Sequence, residues 1–313
     1  MESIIKTFDN GAVAPLVSFC LKSYNQKEYI RDALDCAFKQ TYHPLEIVVC
    51  DDGSTDGSDE LIRTMITAYL KNGGDHKVRY SRNETNIGIA LNCQKAYLMA
   101  KGDLIINADG DDISYPHRTS EIVKAWLADG RRASVILHDA DLIDFSGRRL
   151  NKLHGVPSPE YPFGAMMAYS RKVVTDFGSI IFPGCYDDDV FSWRAMMLGG
   201  VVKVRLPLIA YRIGTGSTTK GNFFERRKRA SVMCLESAKQ IELDLERGGI
   251  EKYSGLKTLL QRYRVRYSEE LRMLQGGSWI MQIVHWAKYC RACGFRLYGR
   301  PAFHVFRECI LRR

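Results

Sequence analysis

"IINADGDDISYP" (105–116) runs an apolar strand straight into Asp109, Asp111 and Asp112. A turn accounts for one Asp-Gly pair, because both residues tolerate unusual backbone angles and Asp bonds to its own backbone. Three carboxylates at one strand tip ask for more, since like charges repel unless a cation relieves them. Asp109 and Asp111 stand two apart, so a turn can aim both at one point. Oxygen-only ligands suit Mg2+ or Mn2+, and such sites commonly share the ion with a substrate phosphate.

The flanks set this stretch in an alternating pattern. Short apolar runs with β character lie at 16–21, 46–51, 77–82, 104–108 and 134–139. Between them, residues 28–40, 58–70, 88–100 and 116–130 place apolar side chains at helical spacing, for example Ile30, Leu34, Ala37 and Phe38. Alternation with short links predicts an α/β fold with parallel strands and right-handed crossovers. Ligands in such sheets bind beyond the carboxyl ends of the strands. The polar clusters fall there: "KSYN" (22–25), "DDGSTDGS" (51–58) and "DGDD" (109–112). After residue 150 the alternation stops. Residues 162–178 and 187–200 read as helical, 201–206 and 208–212 as strands, and from 222 the pattern is helical almost to the end.

"DDGSTDGSDE" (51–60) invites a calcium reading. Counted from Asp52, position twelve of an EF-hand loop is Arg63, where a bidentate Glu is required, so that reading is rejected. The loop instead joins a strand tip to a helix start, with Ser58 or Asp56 as N-cap. Asp51 can cap the turn; a carboxylate here can also accept an N–H from a nucleobase. "DGDDI" (109–113) loosely matches the D-x-D of phosphoaspartyl phosphatases, but that motif follows the first strand and wants Thr or Val where Ile113 stands. A third cluster, Asp187, Asp188 and Asp189, opens a helix. The helix dipole favours negative charge there. Three in a row exceed what a cap needs, and one of them can serve as a general base.

The chain of 313 residues is 45% hydrophobic and 26% charged, an ordinary globular composition, with a formal charge of +9. The excess is confined to the end: residues 222–313 hold 19 Lys and Arg against 9 acids, while residues 1–221 are almost neutral. That contrast predicts a catalytic body over 1–221 and a basic helical region over 222–313. Residues 278–313 mix Lys and Arg with Trp279, Trp286, Tyr289, Phe295, Tyr298, Phe303 and Phe306. Such a mixture suits an anionic membrane surface; the same aromatics can equally pack on the body. No base-reading motif points to nucleic acid. Nine cysteines at irregular spacing, with no secretory signal, predict reduced thiols and a cytoplasmic protein, compatible with a peripheral place on the inner membrane's cytoplasmic face. The pair Cys290 and Cys293 reads as two thiols on a helix. No apolar run of 18 residues predicts a membrane span.

Taken together, "VSFCLKSYNQKEYIRDALDCAFKQTYHPLEIVVCDDGSTDGS", "NIGIALNCQKAYLMAKGDLIINADGDDISYP" and "YDDDVFSWRAMMLGG" followed by "LIAYR" resemble the family 2 glycosyltransferases over roughly residues 14–215. The resemblance implies a GT-A fold, a Rossmann-like, mostly parallel sheet flanked by helices, here with a C-terminal helical extension. It implies inverting transfer of a sugar from a nucleotide donor, most often a UDP-sugar, to a hydroxyl of a glycan or lipid-linked acceptor, aided by Mn2+ or Mg2+. A dTDP- or GDP-sugar, or a catalytically silent scaffold, are the alternatives. On this pattern Ser23, Tyr24 and Asn25 hold nucleobase and ribose, and Asp52 pairs with the base. Asp109 touches ribose or metal, Asp111 ligates the metal, and Asp188 is the catalytic base. The chain departs from the pattern in places. Lys22 stands where Pro or Thr is common, Asp187 where Glu is more frequent, and Leu91, just before Asn92, where a cation often serves the donor phosphates. No His follows Tyr211-Arg212, so Arg212 or Lys220 is left to support the diphosphate. The loop "GTGSTTKG" (214–221) is suited to closing over the donor.

Overall fold

A computed structural model describes residues 14–154, 164–215, 221–248, 253–276 and 278–293. Strands β1 (Val17–Ser23) and β2 (Leu45–Asp51) are buried along their whole length. Near-continuous apolar runs are what strands covered on both faces require. With β3 (Lys77–Arg82) and β4 (Leu104–Asp109) they form a parallel core in the order β3-β2-β1-β4. Helices α1 (Ile30–Phe38), α2 (Ser58–Lys71) and α3 (Ile89–Met99) are the crossovers, and α4 (Arg118–Ala128) follows β4. The expected elements are thus present, shifted by a few residues at their ends. Helix α2 is preceded by Gly57 in the left-handed region, and Asp56 rather than Ser58 accepts the exposed N–H, that of Ser58, at 2.9 Å.

Beyond β4 the sheet turns mixed. The segment expected to be helical at 162–178 instead gives a short 3-10 turn, strand β8 (Met167–Ser170) and the one-turn helix α5 (Lys172–Thr175). Residues 161–163 lie outside the description. Strand β8 inserts antiparallel between β4 and β6 (Val135–Ile143). Its side chains alternate: Ala168 joins the core on one sheet face, Met167 and Tyr169 the core on the other. Pairing on both edges and burial on both faces outweigh the helix preference of Ala and Met. The two runs expected at 201–206 and 208–212 are one strand, β9 (Val201–Arg212), parallel to β6. Pro207 is accommodated where the β6–β9 register shifts, opposite Asp139, as a residue without an N–H requires. Two short strands went unread: β5 (Ile113–Ser114), which pairs with β9, and β7 (Arg149–His154), which pairs with β6. The β6–β7 turn, Asp144 to Arg148 with Gly147 at φ 86°, carried a legible hairpin signal. Among the described residues nine strands form one sheet, ordered β3-β2-β1-β4-β8-β6-β9-β5, with β7 beside β6.

Helices α1, α2 and α4 cover one face of the sheet. On the other lie α3, α5 and α6 (Asp187–Leu198). The outer side of α6 is then covered by α7 (Phe223–Arg247) and α8 (Ser254–Gln275), through Trp193 and Met197 against Ala238, Ile241, Leu245 and Tyr263. Apolar contacts on both sides explain why α6 is buried nearly all round. Helix α9 (Trp279–Cys293) packs on α8. No helix among the described residues is long and apolar enough to cross a membrane.

Candidate active site

A cleft of about 300 Å³ opens beyond the carboxyl ends of β1, β2 and β4. Lys22, Ser23 and Tyr24 line it from the end of β1, Asp52 from the end of β2, Asp109 and Asp111 from the end of β4. Asn86, Ile89 and Asn92 close one wall, and Arg229 and Met233 reach in from α7. A smaller recess of about 130 Å³ adjoins it and brings Gly164, Tyr186, Asp187 and Asp188 to the same place. Lys22, Ile89, Asp109 and Tyr211 line both, so the two spaces lie side by side.

The loop after β2 divides its carboxylates by role. Asp51 is buried and accepts from the N–H and hydroxyl of Ser54 at 2.9 and 2.5 Å, which is turn capping. Asp52 faces the cleft, with Oδ1 accepting from Asn83 and the Ile87 N–H and Oδ2 from the Gly88 N–H. A carboxylate has about four acceptor sites, so one on Oδ2 remains for a ligand N–H. Gly53 makes this closeness possible: its φ is +71°, and a Cβ there would come within 2.7 Å of the Thr85 backbone.

Charge is the organising feature of the floor. The Lys22 ammonium sits 3.0 Å from Asp109 and 2.6 Å from Asp187, itself buried. Burial works against its charge, but the two carboxylates outweigh that and hold its pKa well above the ordinary lysine value. Burial likewise disfavours ionised Asp187, yet Lys22 leaves that carboxyl below the usual range. Asp188 goes the other way. Burial first, then the charges of Asp187 and Asp189, push its pKa well up, with the Gly164 N–H at 2.9 Å as partial relief. Asp189 turns away from the cleft and accepts from Tyr263 of α8 at 2.5 Å. Successive residues on a helix do not share a face, so only one carboxylate of this triplet is left to a ligand without a strong partner. On the β4 turn, burial and then Asp109 raise the pKa of Asp111 to about 6, while Thr215 donates to it at 2.8 Å.

The sequence profile of glycosyl transferase family 2 matches residues 18–184, more than half of the chain. The chain belongs to this family. Among curated relatives of the transferase, EpsE of Bacillus subtilis (strain 168) is 30% identical over 146 residues, 46% of this chain and 50% of that protein. Chondroitin synthase of Pasteurella multocida (strain Pm70) is 36% identical over 121 residues, 39% of this chain and 12% of that protein. The chain thus spans half or less of the length of these relatives. Two solved structures share the fold at 17% identity: S. aureus TarS 1-349 in complex with UDP-GlcNAc (TM-score 0.54, 88% of each chain) and the mannosyltransferase PcManGT of Pyrobaculum calidifontis in complex with GDP-Man and Mn2+ (TM-score 0.55, 95% of this chain and 86% of that one).

Of the residues expected to build the transferase's site, Ser23, Tyr24, Asp52, Asn92, Asp109 and Asp111 line the larger cleft and Asp188 the adjoining recess. Asn25 and Arg212 are committed elsewhere. Asn25, at φ 51°, accepts from the Thr55 N–H and takes part in bracing the 51–58 loop. Arg212 is buried, donates to the carbonyls of Asp111 and Phe145, and lies over the Tyr29 ring. It therefore shapes the Asp109–Asp112 turn from behind. Lys220 and most of the 214–221 loop fall outside the described residues. The cation from the extension that lines the cleft is Arg229. It sits in "ERRKR" (225–229), where nothing in the sequence singles out which of four basic residues turns toward the sheet.

Proposed function

We propose that this glycosyltransferase moves a sugar from a UDP-sugar to an acceptor hydroxyl with inversion, using Asp188 as general base. The observation that carries the reading is the adjacency of the two recesses: the residues suited to a nucleotide and one raised-pKa carboxylate line spaces that share four residues. Asp52 accepts the imide N–H of uracil on its remaining Oδ2 site. Ser23 and Tyr24 flank the nucleoside. The complexes of TarS with UDP-GlcNAc and of PcManGT with GDP-Man and Mn2+ support a nucleotide-sugar on this fold.

Asp109 and Asp111 fit Mn2+ or Mg2+. Their donors are all oxygen, and Asp111, raised first by burial and then by the Asp109 charge, is a carboxyl that a bound cation would favour in its ionised form. A divalent ion held there would neutralise the charge that grows on the leaving diphosphate. Arg229 adds fixed positive charge from the α7 side, the support assigned from sequence to Arg212 or Lys220. Asp188 takes the proton of the acceptor hydroxyl as it attacks the anomeric carbon from the face opposite the diphosphate.

Calorimetry of UDP, GDP and dTDP, each with and without Mn2+, tests the donor side. UDP is expected to bind only with Mn2+, and Asp111→Ala to weaken that binding at least ~10-fold, about 1.4 kcal/mol. Preference for GDP would reassign the donor. Binding of no nucleotide by the wild type would remove the metal-and-nucleotide assignment.

An acceptor carried on a lipid accords with the end of the chain. Trp286 is half-buried and Tyr289 buried, so these aromatics pack inward; the side chain of Trp279 and residues 294–313 lie outside the description. The opposite face of α9, however, exposes Ile280, Ile283, Val284 and Ala287 at helical spacing. An apolar stripe on a basic region suits peripheral binding to an anionic bilayer. Cosedimentation with phosphatidylglycerol vesicles is expected to drop several-fold in Ile283→Asp/Val284→Asp, with UDP binding unchanged. Equal sedimentation of variant and wild type would exclude this face.

A further inference from the structure

The sheet edge opposite the cleft carries a second constellation. His43 lies just before β2 and Asp75-His76 just before β3, at the amino ends of the parallel strands. His43 Nε2 is 3.3 Å from Asp75 Oδ2, and His76 Nδ1 is 3.9 Å from Asp75 Oδ1. One donor atom from each of the three residues falls within 4.8 Å of the others. We propose that His43 Nε2, Asp75 and His76 Nδ1 bind one divalent transition-metal ion of the Zn2+ class, with a coordination position left open.

His76 is what distinguishes this group from an ordinary surface ion pair. Its ring is 2% exposed. Its Nε2 lies 3.0 Å from the carbonyl of Gln40, a contact that requires the proton on Nε2. Nδ1 is therefore a bare lone pair. It is buried with no hydrogen-bond partner, because Asp75 is too far away to serve. A ligating histidine whose other N–H is held by a backbone carbonyl is the usual outer arrangement of metal-bound imidazole.

The neighbours hold the donors in place. The Tyr69 hydroxyl accepts from the His76 N–H at 3.0 Å and donates to Asp75 at 3.3 Å. Tyr69 is itself stacked on Phe38, and the His43 ring stacks on His76 with centroids 4.8 Å apart. A tetrahedral ion with bonds of about 2.0–2.1 Å needs its donors roughly 3.4 Å apart. The His43–Asp75 spacing already meets this. The rest asks for a shift of Asp75, 67% exposed, and for the His43 ring, 31% exposed, to turn from its stack on His76, because donors now within 4.8 Å must close to that spacing. Two imidazoles and one carboxylate suit Zn2+ or Ni2+ and not the hard ions expected in the cleft. His43 and Asp75 also line a recess with Lys77, Lys101 and the Arg79–Glu46 pair. The open position would face that space and hold water or a small anion.

Zn2+ titrated calorimetrically into the full chain, under reducing conditions and with millimolar Mg2+ to occupy oxygen sites, is expected to bind one equivalent. His43→Gln and Asp75→Asn should each weaken it beyond the ~10–100-fold loss typical of an outer-shell change, and Tyr69→Phe by roughly 10-fold. Both ligand substitutions are at accessible side chains, and thermal melts without metal check that the variants fold. Co2+ bound to the wild type should show tetrahedral visible bands without thiolate charge transfer. No saturable Zn2+ binding, unchanged affinity in either ligand variant, or a thiolate band would overturn the assignment.

Discussion

Asp188→Asn is expected to lower kcat by ~10²–10⁴-fold while leaving UDP and Mn2+ binding in place. Asn is nearly isosteric, and its carbonyl oxygen can still accept the Gly164 N–H that now meets Asp188 at 2.9 Å. The variant therefore removes the proposed proton acceptor and little else. The wild type should also show an acidic limb in kcat/KM displaced above the ordinary carboxylate range, because burial and the flanking Asp187 and Asp189 charges raise this carboxyl. Activity rises as pH climbs through that raised value and Asp188 ionises; in Asp188→Asn the limb disappears. The neighbours are poor substitutes. Asp187 is held by Lys22 below the usual range, and Asp189 is engaged by Tyr263. A loss of less than ~10-fold, or an unchanged acidic limb, would take the base away from Asp188.

Lys22→Met tests the floor of the cleft. It keeps the length of the stem and deletes the charge, leaving Asp109 and Asp187 without their common partner. Removing one member of a buried ion pair costs about 3–5 kcal/mol, a large share of the about 5–15 kcal/mol that holds a domain folded. An exposed pair would cost about 0–1 kcal/mol; the depth of Lys22 and Asp187 argues for the larger figure. The pH dependence fixes the cause. Asp187 is depressed in the folded state, so its contribution is present above the unfolded carboxyl value and lost as pH falls through the folded one. Lys22 is raised, so its contribution persists up to alkaline pH. The gap between wild type and variant in urea unfolding should thus be widest near neutral pH and narrow toward pH 4 and below, as Asp187 in the variant takes up a proton. A gap below 1 kcal/mol at pH 7 would show that the bridge contributes no more than a surface contact.

The legible part of this protein is the part written in local pattern. Burial on both faces made β1 and β2 largely apolar, and helical spacing marked α1 to α4. Three polar clusters at strand ends, 22–25, 51–58 and 109–112, pointed to one sheet edge. What escaped depends on partners distant in the chain. Strand β8 looked helical because Met and Ala favour helices; its alternation between two cores exists only once β4 and β6 flank it. Lys22 read as a departure from a Pro or Thr position, and its reason, Asp187, lies 165 residues away. Arg212 looked available and is walled in by carbonyls, whereas Arg229 was hidden in a run of like charges. His43 and His76 carried no motif, since their relation runs across two adjacent strand starts.

The helix that bears Asp188 is gripped from its outer side. Tyr263 holds Asp189, and Asp244 of α7 chelates the buried Arg194 guanidinium at 2.6 and 3.2 Å. The family match, by contrast, ends at residue 184, before that helix begins at Asp187. The family match and the packed unit around the proposed base therefore have different borders in this chain. A chimera cut where the family resemblance fades would keep Asp52, Asp109 and Asp111 and lose Asp188 together with the clamp around its helix. Recombining this enzyme with another acceptor module calls for a junction placed after α8, so that the clamp travels with the helix it holds.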